Sequence, residues 1–274
     1  MTINDRNLAP SFNDESKTDK PDAMTEAEYD AAFAKMAQDY FDGVTPHKAP
    51  SLSYVTGLPG AGKSSFVALL KTQPQMKDYI VINFDDLRAY HPRYAEHARQ
   101  DPVNAAARID TAVEQLIGWL CKAAAERTIN VILDDAAMGG EMTKIVLSPF
   151  QANHYDISVV VVAVPIAVAR QSVHRRFEEN LAAAQKGAPV VARWVNTTEQ
   201  DNAPAALVET VETLEETGLA QFLTIIDRDQ HVLYASTLHA GQTKAGDIIK
   251  SVHTRPLSVQ ETLNFQVYTA RIAK

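Results

Sequence analysis

The chain has 274 residues, 46% of them apolar, which is enough to bury one large core. Its net charge of −8 at pH 7 leaves no general basic surface, so we exclude nucleic acid as a partner and expect small charged metabolites instead. No apolar run approaches the roughly 20 residues that cross a membrane, and the N-terminus lacks the pattern of a leader peptide. We therefore predict a cytoplasmic protein without membrane contacts.

The first segment of the chain differs from the rest in composition. Residues 1–23 are polar and charged, and we predict a flexible tail because such a segment cannot offset the entropy of ordering. The following residues predict an amphipathic helix that ends near Gly43, because apolar side chains recur at spacings of three and four at Tyr29, Phe33, Met36 and Tyr40. We expect this helix to pack on the body of the same domain, with a partner protein as the alternative.

A glycine-rich segment follows the first apolar run. It matches the pattern G-x-x-x-x-G-K-S, in which main-chain N–H groups surround nucleotide phosphates, the lysine reaches the β- and γ-phosphates and the serine binds Mg²⁺. The predicted nucleotide-binding residues are Gly57, Leu58, Pro59, Gly60, Ala61, Gly62, Lys63, Ser64 and Ser65, with Ser64 as the metal ligand. We predict a helix from about Lys63 to Leu70, while a chance match at a simple turn is the alternative.

Short β-rich runs alternate with helical segments over the rest of the chain. The predicted strands are Tyr79–Asn83, Asn130–Leu133, Ile157–Val164 and Phe222–Ile226. This alternation predicts an α/β fold in which helices flank a parallel sheet. Two runs around residues 228–230 predict a terminal hairpin, and we expect residues 237–274 to form a helical extension packed on the same domain. Cys121, the only cysteine, lies in a helical apolar pattern and is predicted to be buried.

Ligands of such sheets bind beyond the carboxyl ends of the strands, which makes the residues after the second strand candidates for chemistry. Phosphoryl transfer to a hydroxyl needs a nearby carboxylate to accept the proton, and Asp85 is our candidate for that base. Asp86, Arg88 and His91 are candidate substrate ligands. The alternative is that Asp85 or Asp86 caps the next helix, while the proline after His91 suggests a turn.

The third predicted strand ends in acidic residues. An apolar strand that closes on aspartate is typical of a Walker B segment, which holds Mg²⁺ directly or through water. A metal or substrate contact is indicated more strongly for Asp134 than for Asp135, and a turn role is the alternative for both.

The fourth strand leads into a helix that carries several arginines. Arginines at this place in kinases neutralise the charge that develops on the transferred phosphoryl group. We favour Arg176 and the later Arg193 for that role. Arg170 and Arg175 are interpreted as surface ion-pair residues, since Arg175 has acidic neighbours at 178–179.

Together these segments resemble the zeta toxins of bacterial toxin–antitoxin systems, a family of P-loop kinases. The resemblance runs over about residues 24–236 and rests on the order and spacing of its motifs. These are the glycine-rich loop, Asp85 with Arg88, His91 and Pro92, then Ala163–Pro165, Arg176–Phe177, Val191–Arg193 and Leu214–Leu219.

The resemblance implies a kinase domain over residues 24–236 that uses ATP and Mg²⁺ to phosphorylate the sugar 3′-hydroxyl of UDP-N-acetylglucosamine. It implies that Asp85 is the catalytic base and that Arg176 and Arg193 stabilise the transition state. Lys63 and Ser64 would serve ATP and Mg²⁺. A small helical antitoxin protein is the implied partner.

Two departures from the family pattern leave the acceptor open. Asn83 replaces an aspartate, and residues 134–136 read Asp-Asp-Ala where the family has Glu-Gly-Thr, which removes a hydroxyl at the acceptor. One alternative is therefore a P-loop kinase for another nucleotide or small metabolite. A second is a nucleotide-binding regulatory protein that does not transfer phosphate.

Overall fold

The computed structural model describes residues 22–188, 190, 192–238 and 244–272. All but the last two residues of the predicted tail lie outside this range. Val191 of the family-like motif and residues 239–243 and 273–274 of the predicted extension lie outside it as well.

Helices and strands alternate along the described chain. The helices are α1 (Glu26–Phe41), α2 (Lys63–Thr72), α3 (Phe84–Leu87), α4 (Tyr94–Gln100), α5 (Ala105–Glu126), α6 (Gly140–Ala152), α7 (Ile166–Gln185), α8 (Thr197–Thr217), α9 (Ala245–Thr254) and α10 (Val259–Ile272). The strands are β1 (Ser51–Gly57), β2 (Ile80–Asn83), β3 (Val131–Asp134), β4 (Asp156–Val162), β5 (Phe222–Ile226) and β6 (Val232–Thr237). Short 3₁₀ turns occupy Pro74–Met76 and Arg88–Tyr90.

The strands form one sheet in the order β2-β3-β1-β4-β5-β6. The first five strands pair in parallel, and β6 pairs antiparallel to β5 as the predicted hairpin requires. This confirms the predicted α/β fold with helices flanking a parallel sheet. Because β3 lies between β2 and β1, the loops that follow these three strands emerge side by side at one edge.

The hydrophobic core is formed by the apolar strands and by the helices that cover both faces of the sheet. The side chains of β3 are fully buried, and α5 contributes a long apolar face that includes Leu116 and Leu120. Cys121 is buried on the same helix, as predicted. Each large side chain removed from water in this way stabilises the fold by about 1.5–3 kcal/mol.

The N-terminal helix packs on this core. Thr25 caps α1 in a capping box with Glu28, which satisfies main-chain N–H groups at the helix start. Tyr29 and Phe33 contact the ring of Trp119 on α5 edge-on, with ring centroids 5.6 and 5.8 Å apart. The apolar face of α1 is thus covered by the same domain, which is the first of the two arrangements that the sequence suggested.

The C-terminal helices contact the same body. Helix α9 packs against α8, where the carboxylate of Glu215 accepts hydrogen bonds from the main-chain N–H groups of Lys244 and Ala245. Helix α10 contacts α7. Among the described residues, no helix combines the length and the apolar composition that a membrane crossing needs.

Candidate active site

The phosphate loop joins β1 to α2 at the centre of the polar sheet edge. Gly57 and Gly60 have φ angles of 152° and 81°. A Cβ atom at Gly57 would lie 2.4 Å from the carbonyl oxygen of Val162, and one at Gly60 would lie 2.3 Å from that of Ala169. Only glycine fits at these two places. Among the described residues, no side chain caps the start of α2, which leaves its first N–H groups for an anion.

Lys63, the first residue of α2, folds back over the loop. Its Nζ donates to the carbonyl oxygens of Gly57 and Leu58 at 3.1 and 3.2 Å. Burial lowers the pKa of the Lys63 ammonium, while the charges of Asp134 and Asp135 oppose this shift. The phosphates of a nucleotide would give this ammonium the counter-charge that its carbonyl partners do not supply.

The ends of β2 and β3 place an amide, that of Asn83, and a carboxylate, that of Asp134, beside the loop. The Oγ atom of Ser64 lies 3.4 Å from Oδ2 of Asp134, and the Asn83 side-chain amide donates to the same oxygen at 2.8 Å. Burial raises the pKa of Asp134, although Lys63 and the Asn83 hydrogen bond lower it in part. An oxygen-binding divalent cation would relieve this cost, so the pair fits Mg²⁺. Asp134 is thus grouped with the metal candidate Ser64.

Asn83 also explains how the next residues are held. Its side-chain oxygen accepts from the main-chain N–H groups of Asp85 and Asp86 and caps α3. The alternative that Asp85 or Asp86 caps this helix is therefore wrong, because Asn83 fills that position. The carboxylates of Asp85 and Asp86 lie in the first turn of α3 and are left for other contacts.

Two arginines hold the carboxylate of Asp85. Nη1 of Arg88 donates to Oδ1, and Nη1 of Arg193 donates to Oδ2 at 2.6 Å. Desolvation raises the pKa of Asp85, but the positive charges of Arg193, Arg88 and Arg176 together bring it down to about 2. The side chain of Asp85 still exposes 42% of its surface, so a ligand can reach it.

Two further carboxylates anchor these arginines, and the sequence analysis did not single them out. Asp110 on α5 accepts from Nη2 of Arg88 at 2.9 Å, and Glu199 on α8 accepts from Nη2 of Arg193 at 3.1 Å. Burial lowers the pKa of Arg88, but the charges of Asp85 and Asp110 raise it well above its usual range. Each anchor lies on a different element from its arginine, and no motif marks either carboxylate in the sequence.

The predicted arginines of α7 lie beside the phosphate loop. A cleft of about 410 Å³ is lined by residues that include Lys63, Ser64, Arg175, Arg176 and Arg228. The charge of Arg176 acts on both Lys63 and Asp85. The sequence interpretation of Arg175 as a surface ion-pair residue was incomplete because its side chain lines this cleft. Arg170 does form an ion pair, with Asp201 on α8.

The remaining predicted substrate residues occupy different surroundings. Asp86 is exposed, but partial desolvation and the neighbouring Asp85 charge raise its pKa. His91 is buried, with Nε2 3.3 Å from the carbonyl oxygen of Asp22 and Nδ1 3.3 Å from the main-chain nitrogen of Arg93. His91 thus ties the turn after α3 to the start of the described chain, and its role as a substrate ligand stays a prediction.

The chain is similar to proteins of one known family. The sequence model of the family described as "Zeta toxin" matches residues 34–239. Similar proteins include Toxin zeta of Enterococcus hirae, which is 22% identical over 199 residues that cover 73% of this chain and 68% of that protein. Toxin zeta of Streptococcus pyogenes is 20% identical over 213 residues, covering 78% and 72% of the two chains.

Solved structures show the same fold. A chain from the PezAT chromosomal toxin–antitoxin system of Streptococcus pneumoniae superimposes with a TM-score of 0.72 at 17% identity, covering 92% of this chain and 98% of that one. The AvrRxo1-ORF1:-ORF2 complex with ATP gives a TM-score of 0.50 at 10% identity, with 85% and 71% covered. At these identities the likeness concerns the fold alone.

Proposed function

This chain belongs to the zeta toxin family, and from that premise we propose that it is an ATP-dependent kinase of UDP-N-acetylglucosamine with Asp85 as its catalytic base. The family membership and the kinase-like fold support a P-loop kinase toxin as the general class. The acceptor, the base and the metal are the parts that we propose.

The convergence of charged groups at one sheet edge carries the proposal. Lys63, Asp85, Arg176 and Arg193 come from four separate segments, and their charges act on one another. A protein that only binds nucleotide needs the loop and its lysine, but has no use for a reachable carboxylate surrounded by arginines. The arrangement therefore favours phosphoryl transfer over a regulatory role.

The chemistry assigns one role to each group. The phosphate loop and Lys63 bind the β- and γ-phosphates of ATP, while Ser64 and Asp134 would hold Mg²⁺, which neutralises phosphate charge when bound. Asp85 accepts the proton of the acceptor hydroxyl as the hydroxyl oxygen bonds to the γ-phosphorus. The bond from that phosphorus to the β–γ bridging oxygen breaks, and ADP leaves. Arg176 and Arg193 stabilise the charge on the phosphoryl oxygens in transit.

A second candidate function differs in the substrate that accepts the phosphoryl group. Ala136 cannot supply the hydroxyl that the family has at this place, and the Asp134 carboxylate lies 3.4 Å from the hydroxyl of Ser64, the proposed metal ligand. A P-loop kinase for another nucleotide or hydroxylated metabolite is therefore the alternative. Asp86, Arg88 and His91 remain the candidate residues for acceptor binding, with Asp86 the most exposed of the three.

Phosphate transfer to a panel of acceptors tests the proposal. The protein would be incubated with ATP, Mg²⁺ and separate nucleotide sugars, nucleosides and dinucleotides, and each acceptor examined by mass spectrometry for the gain of one phosphate. We expect a gain on UDP-N-acetylglucosamine that the Lys63→Ala variant does not produce. A gain on another acceptor alone would favour the second candidate, and no gain on any would favour a regulatory protein.

The toxin role has its own test. Expression in a susceptible bacterium should slow growth with the wild-type chain and not with Lys63→Ala, and co-expression of a small helical antitoxin should restore growth. Equal growth with active wild-type protein and Lys63→Ala would contradict the toxin role while leaving the kinase chemistry intact.

A further inference from the structure

Arg228 contacts the phosphate loop from the opposite end of the chain. It lies in the turn between β5 and β6, 168 residues from Gly60. Its Nη2 donates to the carbonyl oxygen of Gly60, and its Nε donates to that of Ala61 at 3.2 Å. The sequence predicts only that this arginine lies in a hairpin turn.

These contacts fix the orientation of two peptide groups in the loop. In a trans peptide the C=O and N–H bonds point in opposite directions. With the Ala61 carbonyl directed to Arg228, the N–H group of Gly62 is directed away from the arginine. With the Gly60 carbonyl directed the same way, the N–H group of Ala61 meets the carbonyl oxygen of Leu58 at 3.0 Å, inside the loop.

The arginine is itself held in place. Its Nη2 also donates to Oγ of Ser172 at 3.0 Å, on the α7 helix that carries Arg175 and Arg176. The turn that carries it is closed by Asp227, whose carboxylate accepts from the main-chain N–H group of His231 at 2.9 Å. Arg228 therefore links the phosphate loop, the arginine-bearing helix and the terminal hairpin.

We propose that Arg228 is a positioning residue of the phosphate site, which holds the loop carbonyls outward so that the Gly62 N–H group faces the phosphates. The proposal rests on the proposed nucleotide site. The experiment distinguishes this role from two others: direct contact of Arg228 with the base or ribose of the nucleotide, and a purely structural link between the hairpin and the loop.

The substitution Arg228→Lys separates positioning from charge. Lysine keeps the positive charge but presents a single ammonium group in place of the planar fork that spans two carbonyl oxygens. The binding probes are ATP, measured with Mg²⁺, and inorganic tripolyphosphate, which has phosphates but no base or ribose. Isothermal titration gives the Kd of each probe, and circular dichroism and the Tm report folding.

We expect Arg228→Lys to raise the Kd of both probes by about tenfold, which corresponds to one or two lost hydrogen bonds. The KM for ATP should rise by a similar factor, with a smaller change in kcat and a folded variant. Arg127→Lys is the matched control, because Arg127 also donates to a main-chain carbonyl, that of Ala123 at 3.0 Å, but does not line the cleft. It should bind both probes like wild type.

The other outcomes overturn the inference. Kd values within twofold of wild type would show that the guanidinium group is dispensable. Weaker binding of ATP with unchanged binding of tripolyphosphate would indicate a contact with the base or ribose. If neither Arg228→Lys nor Arg228→Gln folds, the residue is a structural tie. Lys63→Ala tests the proposed phosphate site independently of Arg228. If this variant binds tripolyphosphate like wild type, the phosphates do not bind at the proposed site.

Discussion

Arg193 donates a hydrogen bond to the carboxylate oxygen of Asp85 that Arg88 does not contact, with 2.6 Å between Nη1 and Oδ2. Each oxygen of the proposed base then accepts a hydrogen bond from an arginine, and these arginines compete with an acceptor hydroxyl for the carboxylate. Both arginines are also held by a second carboxylate, but Arg193 is the one that we propose meets the transferred phosphoryl group. We expect the γ-phosphate of ATP to attract Arg193 and thereby free Oδ2 for the acceptor.

The substitution Asp85→Asn tests the proposed base. Asparagine keeps the shape but cannot take a proton, so turnover should fall by about 10²–10⁴-fold while the Kd for ATP barely changes. Steady-state kinetics and ATP titration of the purified variant check this. Asp86→Asn is the neighbouring control, and it should retain most of its kcat. A kcat near the wild-type value for Asp85→Asn would remove the case for this residue as the base.

The pH profile of Arg193→Gln reports on the same pair. The positive charge of Arg193 holds down the pKa of Asp85, which is about 2. Removing that charge raises the pKa, so the base becomes protonated at higher pH and the acid limb of kcat/KM moves upward. The value of kcat should also fall by about 10²–10³-fold because the transferred phosphoryl group loses a charge partner.

Arg170→Gln is the control for this experiment, since Arg170 pairs with Asp201 away from Asp85. Its profile of kcat/KM against pH should match that of wild type. An acid limb that stays in place in Arg193→Gln would contradict the coupling between Arg193 and Asp85.

Much of the fold was predictable because its signals are local. The glycine-rich loop, the apolar strands and the spacing of apolar side chains along the helices each depend on neighbouring residues. The predicted ends of the strands were less accurate. The fourth strand was predicted to reach Val164 and ends at Val162, while the third includes Asp134, because strand ends depend on which partners the neighbouring strands offer.

The site was predictable only in part. Sequence motifs identify Lys63 and Asp85. The two residues are expected to lie close together because the parallel strands that precede them end at the same edge of the sheet. The roles of Asn83 and Arg228 could not be predicted, because each depends on a tertiary contact. Asn83 contacts Asp134 on the neighbouring strand, and Arg228 reaches the loop only after the sheet has formed. An asparagine can cap α3 with its oxygen and bind Asp134 with its amide, which an aspartate cannot do.

The metal assignment predicts a change in Mg²⁺ dependence. Asp134→Asn removes the negative charge beside Ser64 and should raise the Mg²⁺ concentration for half-maximal turnover by at least about tenfold, since even outer-shell changes cost about 10–100-fold in affinity. Turnover measured against Mg²⁺ concentration tests this. Asp156→Asn, at the exposed far end of β4, should leave the curve unchanged. An unshifted curve for Asp134→Asn would exclude a metal role for this carboxylate.

The buried carboxyl group of Asp135 should make the stability of the fold depend on pH. Its side chain is buried, and Oδ2 has no hydrogen-bond partner among the described residues. Burial raises the pKa of Asp135 well above its usual range, although the charge of Lys63 opposes this. The protonated form therefore stabilises the fold fully below the unfolded pKa of about 3.9, and this contribution is lost as the pH rises towards the folded pKa.

Asp135→Asn cannot ionise, so its Tm should increase relative to that of wild type as the pH rises from 4 to 8. Thermal unfolding of both proteins across this range provides the measurement. A difference in Tm that is the same at every pH would contradict the raised pKa of Asp135.

We propose that this site transfers the γ-phosphoryl group of ATP to the sugar 3′-hydroxyl of UDP-N-acetylglucosamine. The most direct measurement compares UDP-N-acetylglucosamine with its 3′-deoxy analogue under identical conditions with ATP and Mg²⁺, using mass spectrometry to count added phosphates. We expect one added phosphate on the first compound and none on the second. Failure to phosphorylate UDP-N-acetylglucosamine, or equal phosphorylation of the deoxy analogue, would contradict the claim.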